Sequence, residues 1–135
     1  MTGHDLLADK VVVVTAAAGT GIGSATARRC LEEGASVLIS DHHERRLGET
    51  LATLQAEHGG RVAATRCDVT REQDVQSLLD SAGQRFGRID VMINNAGLGG
   101  EVSVLDMTDE QWSRVLDVSL TGTFRCVRAA GARMI

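Results

Sequence analysis

Residues 11–23 read VVVVTAAAGTGIG and constrain the fold of this chain more than any other stretch. Four consecutive valines are typical of a parallel strand that is buried on both of its faces. A loop of small residues follows, and Gly21, Ile22 and Gly23 then open a predicted helix. The N-terminus of a helix offers unpaired N–H groups and a partial positive charge, and glycines let the backbone approach a phosphate closely. The stretch therefore predicts a pyrophosphate site between a strand and a helix.

Strand and helix patterns alternate along the rest of the sequence. We expect strands over residues 10–15, 36–41, 61–67 and 89–94, and helices over 21–33, 43–57, 71–85 and 108 to about 134. Thr108 and Gln111 have the spacing of a capping box at the start of the last helix. The order βαβαβαβα predicts an α/β fold with a Rossmann-type, doubly wound parallel sheet, of which this is the N-terminal part. Right-handed crossovers favour the strand order 3-2-1-4.

Composition narrows the class of protein. The chain has 135 residues, enough for one compact domain, and no apolar run approaches the roughly 20 residues of a membrane span. A net charge of −4 with no basic block argues against nucleic acid as a partner. Cys30, Cys67 and Cys126 lie far apart, so we expect buried, reduced thiols and a cytoplasmic protein. His42 and His43 are adjacent, which on a helix points them about 100° apart, and we expect no metal site.

An acidic residue ends the second predicted strand. Asp41 could accept hydrogen bonds from the ribose hydroxyls of NAD and repel the 2′-phosphate of NADP. Alternatively, it is a favourable negative charge at the N-terminus of the next helix. Arg45 and Arg46 could in principle hold a phosphate, but inside the helix we expect them to face solvent or pair with Glu49.

The third and fourth predicted strands also end in candidate cofactor contacts. Asp68 could contact the adenine amino group, with the Val69 backbone beside it, or could cap the following helix. Residues 94–97 read NNAG. We expect Asn94 to bridge neighbouring strand ends through backbone hydrogen bonds, and Ala96 and Gly97 to keep the wall beside the cofactor thin. A generic Asn-Gly turn is the alternative interpretation of this segment.

Together these motifs resemble the short-chain dehydrogenase/reductase family. The matching features are residues 19–23, Asp41, residues 67–70, residues 94–97 and residues 118–124. The resemblance implies a Rossmann fold over residues 1–135, NAD as cofactor, and hydride transfer between nicotinamide and a hydroxyl or ketone of a small-molecule substrate. It implies cofactor contacts from Thr15, Ala17, Gly19, Thr20, Gly21, Ile22, Gly23, Asp41, Asp68, Val69, Asn94, Ala96 and Gly97.

The sequence departs from the family pattern at two points inside the match. Counting back from the last glycines of the loop puts Ala17 where the first glycine belongs and Ala16 where the threonine belongs, with Thr15 one place early. Ser119 stands where the family often has a catalytic asparagine. Its shorter hydroxyl could still hold a water molecule for a proton relay.

The family's catalytic tyrosine and lysine define a further departure. The sequence contains no tyrosine, and Lys10 is its only lysine. We therefore expect the 135 residues to be the N-terminal half of a longer enzyme and to be inactive alone. A remnant that binds nucleotide or a partner without catalysis is the alternative.

Longer strings extend the resemblance to one branch of the family. Residues 11–29, 40–50 and 94–100 are similar to an actinobacterial branch that acts on a CoA thioester in steroid C/D-ring breakdown. The last helix resembles the family's main oligomer helix and implies a homo-oligomer of the full-length protein. Its apolar residues are Leu116, Leu120, Phe124 and Val127.

Overall fold

A computed structural model describes residues 3–99 and 102–134. The elements are β1 (Val11–Val14), α1 (Ile22–Glu32), β2 (Ser36–Ile39), α2 (Glu44–His58), β3 (Val62–Ala64), α3 (Glu72–Phe86), β4 (Val91–Ile93), α4 (Asp109–Leu116) and α5 (Gly122–Met134). A short 3₁₀ turn (Gly59–Arg61) precedes β3, and a π-helical turn (Asp117–Thr121) joins α4 to α5. Each predicted strand is present and shorter than its predicted range, because ladder pairing is confined to the apolar centre of each segment.

The four strands form one parallel sheet in the order β3-β2-β1-β4, which confirms the predicted topology. In the central strand, Val12 pairs with Val37 of β2 on one side and with Val91 of β4 on the other. Val12 and Val14 pack into the core beneath α1 and α2, whereas Val13 packs into the core beneath α3 and α5. Burial on both faces explains the uninterrupted valine run.

The long helix predicted from residue 108 to about 134 is present and contains one turn of π-helix that the sequence did not predict. The capping box is present: Thr108 Oγ1 accepts a hydrogen bond from Gln111 N at 3.2 Å, and Thr108 N donates to Gln111 Oε1 at 2.9 Å. The helix then widens into the π turn before α5 begins at Gly122. Gly122 packs closely on Val69, which lies in the segment between β3 and α3. A Cβ added to Gly122 would lie 2.7 Å from Val69 Cγ2. The apolar spacing continues through the turn, so the sequence pattern does not reveal it.

The outer side of α4 and α5 is markedly apolar. None of the residues of α4 is buried, and Leu120 and Phe124 are 65% and 56% exposed. Leu116 and Val127 extend the same exposed row. Within the described ranges, no helix is long and apolar enough to cross a membrane.

Candidate functional site

A cavity of about 740 Å³ opens at the carboxyl ends of the four strands. It lies where the strand order reverses between β1 and β4, the place where open α/β sheets bind ligands. The loops after the strands form its floor, and α4 and the π turn form one wall. The lining residues are Ala16, Asp41, His42, Arg46, Cys67, Asp68, Val69, Thr70, Ala96, Gly97, Leu98, Ser113, Arg114, Asp117 and Val118.

The glycine loop after β1 is packed on one side and open on the other. A Cβ on Gly23 would overlap the Ala16 carbonyl oxygen and lie 2.6 Å from Asn95 Nδ2, so only glycine fits there. Gly19 adopts φ +82°, and its N–H donates to Thr50 Oγ1 at 2.9 Å. Gly21, the N-cap of α1, has no atom within 4 Å of an added Cβ and makes no side-chain capping bond. The first turn of α1 is thus accessible to a ligand on the side of Gly21.

The two alanines of the loop have different positions. Ala16 has φ +51°, in the left-handed region that favours glycine, and it lines the cavity. Ala17 is buried in the core beneath the loop and donates its N–H to Ser40 O at 2.9 Å. The glycine-like conformation therefore falls one residue earlier than the count back from Gly23 predicts.

The bridge between the ends of β1 and β4 is made by Asn95. Its Nδ2 donates to the carbonyl oxygens of Thr15 at 3.2 Å and Ala16 at 3.0 Å. The buried Thr15 hydroxyl accepts hydrogen bonds from the N–H groups of Asn95 and Ala96, both at 3.0 Å. The prediction that Asn94 makes this bridge is wrong. Asn94 Oδ1 is buried with no hydrogen-bond partner among the described residues, because successive side chains after a strand point to opposite sides.

Asp41 lies on the cavity wall and is only 6% exposed. Its Oδ2 accepts a hydrogen bond from Ala18 N at 3.2 Å, and its Oδ1 accepts one from His43 N at 3.0 Å. The His42 Nδ1 atom is 3.4 Å from Oδ1. The carboxylate thus holds the glycine loop against β2, contacts the N-cap of α2, and carries its negative charge at the cavity.

Asp68 and Val69 line the cavity at the end of the extended segment after β3. Asp68 Oδ1 accepts hydrogen bonds from Thr70 Oγ1 at 2.7 Å and Thr70 N at 3.0 Å. Burial alone would raise the pKa of Asp68, but the hydrogen bonds from Thr70 and the charge of His42 bring that pKa below its usual value. The N-cap of α3 is Arg71, so the carboxylate of Asp68 does not cap that helix.

Ser119 lies in the π turn, beside the cavity. Its Oγ accepts a hydrogen bond from Leu98 N at 3.0 Å and lies 3.6 Å from where a Cβ on Gly97 would be. Gly97 and Leu98 line the cavity, and so does Ala96. The hydroxyl therefore fastens the loop after β4 to the last helical segment.

A second cavity of about 500 Å³ lies on the outer side of the glycine loop, between α1 and α2. Thr20 lines it, and Arg46 borders both cavities. Arg45 pairs with Glu49 at 3.6 Å, as expected, and is not part of either wall. Ile22 projects from the first turn of α1 with 79% of its surface exposed.

The three cysteines are buried and unpaired, as predicted. Burial raises the pKa of Cys67 to about 12 and that of Cys126 to about 11. Although Cys67 lines the cavity, its thiol stays protonated near neutral pH and is a poor nucleophile. No cluster of three or more potential metal ligands occurs within residues 3–99 and 102–134.

The structure thus brings Asp41, Asp68, Val69, Ala96 and Gly97 to one cavity, with the glycine loop at its edge. It places Thr15 and Ala17 beneath that loop, within the packed interior.

Sequence reasoning missed the bridging role of Asn95 and the wall residues Arg114 and Asp117. Because Asn94 and Asn95 are adjacent, the sequence does not indicate which of the two makes the bridge between β1 and β4. The spacing of Arg114, Asp117 and Val118 on one helical face was the available signal for the wall.

Comparison with known proteins defines the class. The family model described as short chain dehydrogenase matches residues 10–135, and the chain belongs to the short-chain dehydrogenase/reductase family.

Among its relatives is the (5R,7aS)-5-hydroxy-7a-methyl-1-oxo-2,3,5,6,7,7a-hexahydro-1H-indene-carboxyl-CoA reductase of Mycobacterium tuberculosis. The two are 66% identical over 130 residues, which cover 96% of this chain and 50% of the relative.

Solved structures give the same result. A short chain dehydrogenase from Mycobacterium smegmatis has 58% identity and a TM-score of 0.94, with 98% of this chain and 55% of that chain covered. A family member from Burkholderia phymatum in complex with NAD has 32% identity and a TM-score of 0.88, with coverages of 95% and 45%. The chain spans about half the length of the proteins that it matches.

Proposed function

We propose that residues 1–135 form the NAD-binding domain of an oxidoreductase that transfers hydride between nicotinamide and a hydroxyl or ketone group. The observation that carries the proposal is the buried carboxylate of Asp41, which holds the glycine loop and faces a cavity at the reversal of the strand order. A charged group at this depth needs partners that compensate for lost hydration. Backbone N–H groups supply part of them, and ribose hydroxyls would supply the rest.

The described residues fit a dinucleotide. The open side of Gly21 and the uncapped first turn of α1 would receive the pyrophosphate. Asp41 would accept hydrogen bonds from the adenosine ribose, and Asp68 would accept one from the adenine amino group. The thin wall at Gly97 would lie beside the middle of the cofactor. When bound, NAD supplies a nicotinamide ring that accepts or donates the hydride.

We infer a preference for NAD over NADP from charge. Asp41 would repel a 2′-phosphate on the ribose that it contacts. Arg46 and His42 line the same cavity and oppose this effect. Titration of both dinucleotides should show tighter binding of NAD to the unmodified chain. Asp41→Ala should weaken NAD binding and reduce the difference in affinity between NAD and NADP. Tighter binding of NADP than of NAD to the unmodified chain would contradict the assignment.

The substrate and partners are proposed from the relatives. The 66% identical reductase is named for a carboxyl-CoA substrate, so a steroid-derived CoA thioester is the proposed substrate class. The exposed apolar row of α4 and α5 supports a homo-oligomer of the full-length protein. A net charge of −4 supports no role for nucleic acid, and buried free thiols support a reducing, cytoplasmic location.

The chain alone is proposed to bind the dinucleotide without turnover. It contains no tyrosine, and its only lysine, Lys10, precedes β1 at the amino ends of the strands, away from the cavity at their carboxyl ends. Ser119, at the family's asparagine position, remains the one described candidate for holding a catalytic water. The alternative, a non-catalytic nucleotide-binding or oligomerisation module, is favoured by the same exposed apolar row.

The two proposals are tested by binding and turnover together. Trp112, the only tryptophan of the sequence, lies on α4, the helix that forms one wall of the cavity, and provides a fluorescence signal for titration. We expect the purified 135-residue chain to bind NAD but to form no NADH with hydroxyl-bearing CoA thioesters. The full-length protein should form NADH with one of them. NADH formation by the chain alone would overturn the first expectation, and absence of turnover in the full-length protein would favour the non-catalytic module.

A further inference from the structure

The α4 wall of the cavity carries an arginine whose surroundings leave it facing the ligand space. Arg114 lines the cavity together with Ser113, Asp117 and Val118. Asp117 is the acid nearest in sequence on the same helical face, and its Oδ1 is bonded instead to Arg125 Nη1 at 2.8 Å. Among the described residues, no carboxylate oxygen lies within 4.0 Å of an Arg114 side-chain nitrogen.

The floor opposite this wall is suited to a flat base. Val69 supplies an apolar surface, and Asp68 supplies a carboxylate that is oriented by Thr70. The charged groups on the far rim are Asp41, His42 and Arg46. The part of the cavity between Val69 and α4 therefore combines an apolar face, an acceptor at its edge and a guanidinium above it.

We infer that Arg114 is a further binding residue, which stacks its guanidinium on the face of the adenine ring. The inference rests on the proposed function and adds a residue that no family motif in this sequence contains. A planar, weakly hydrated guanidinium is well suited to lie on a π face, whereas an ammonium lacks the matching plane. In this arrangement Arg114 holds the base by its face while Asp68 holds it by its amino edge.

The competing interpretation is that Arg114 acts as a simple positive charge toward the phosphates. The two interpretations differ in three measurable respects. Stacking requires the adenine base and the planar guanidinium of Arg114. It therefore persists with uncharged adenosine and is lost in Arg114→Lys. A phosphate contact is absent with adenosine, survives largely in Arg114→Lys and weakens steeply with salt.

The first test measures NAD and adenosine binding to the 135-residue chain by calorimetry. We expect Arg114→Leu to weaken both ligands by about five- to tenfold, since a guanidinium on an aromatic face is worth about 1 kcal/mol. We expect Arg114→Lys to weaken both as well, because an ammonium lacks the plane that stacks on the ring. Arg45→Leu is the matched control, because it removes an arginine from the outer face of α2, and we expect unchanged affinity. Circular dichroism should show all three variants folded, since Arg114 is exposed and its side chain makes no hydrogen bond among the described residues.

A second test separates the face of the base from its edge. Nicotinamide hypoxanthine dinucleotide lacks the exocyclic amino group but keeps the aromatic face. We expect Arg114→Leu to weaken this analogue as much as it weakens NAD. Asp68→Asn should weaken NAD binding and leave the analogue nearly unaffected.

The outcomes separate failure of the cofactor site from failure of the role assigned to Arg114. If the unmodified chain binds neither NAD nor adenosine, the proposed cofactor site fails in this chain. If the unmodified chain binds both and Arg114→Leu binds them equally well, only the role of Arg114 is overturned. Full rescue by Arg114→Lys, or an effect on NAD without one on adenosine, would also overturn stacking in favour of a phosphate contact.

Discussion

The two sides of β1 differ in how completely they are packed. On the β2 side, α1 and α2 cover a closed core in which Leu31, Ile39 and Leu54 are fully buried. On the β4 side, the strand is only half-buried, α4 has no buried residue, and Phe124 is exposed. The difference shows that the proposed adenosine end of the site rests on a core that is fully buried within the described residues. The opposite end presents apolar surface that the described residues do not cover.

This contrast separates two requirements. Binding of the adenosine half should depend on the loop, on the segments after β2 and β3, and on Arg114 of α4. Association should depend on the exposed apolar row of α4 and α5. Substitutions on each side therefore test whether the two sides behave independently.

The largest effect is expected at the contact between α1 and the glycine loop. Gly23→Ala would drive a methyl group into the Ala16 carbonyl oxygen. We expect a loss of about 3 kcal/mol in the free energy of unfolding, measured by urea denaturation. Gly48→Ala, in the middle of α2 with no atom near the added Cβ, is the control and should gain about 0.5–1 kcal/mol. A Gly23→Ala chain as stable as the unmodified one would contradict the loop packing.

The bridge between β1 and β4 should give the next largest effect. Asn95→Ala removes the donors to the Thr15 and Ala16 carbonyl oxygens and should cost about 2 kcal/mol in the free energy of unfolding. Asn94→Ala removes no described hydrogen bond and should cost less than about 1 kcal/mol. Denaturation of the two variants side by side checks the assignment, and the reverse order would restore Asn94 as the bridge.

A smaller effect of opposite sign is expected in the loop itself. Ala16→Gly relieves a left-handed alanine and should stabilise the chain by about 0.5–1 kcal/mol after the entropy cost of glycine. Ala17→Gly removes a buried methyl group and should destabilise it by about 1.5 kcal/mol. Thermal melts of both variants show whether each substitution raises or lowers the melting temperature. Stabilisation by Ala17→Gly alone would place the glycine-like position where the family count puts it.

The smallest effect on stability is expected on the apolar side. Phe124→Glu should change the free energy of unfolding by less than about 0.5 kcal/mol, because the side chain is 56% exposed and Arg128 can pair with the new acid. We expect the unmodified chain to self-associate in light scattering and this variant to associate less. If association is unchanged, the exposed edge of β4 rather than the helix surface is responsible.

The sheet order was predictable because valine runs, helical spacing and glycine stops agree with one another along the chain. Asp41, Asp68 and Gly97 were predictable as cavity residues because each lies in a segment that leaves the carboxyl end of a strand in a parallel sheet. The choice between Asn94 and Asn95 was not, since it depends on where β4 stops pairing and hence on which side chain points toward Thr15. The π turn was not predictable, because a one-residue widening of a helix leaves its apolar spacing nearly unchanged.

The central claim is that the buried Asp41 and the glycine loop form a working dinucleotide site within these 135 residues. Calorimetric titration of NAD into the purified chain and its Asp41→Ala variant tests it most directly. A melting curve of the variant establishes that it is folded. We predict saturable binding of one NAD per chain and at least about tenfold weaker binding to the variant, the effect of losing a charged hydrogen bond to the ribose. Absence of binding to the unmodified chain, or equal binding to a folded Asp41→Ala variant, would contradict the claim.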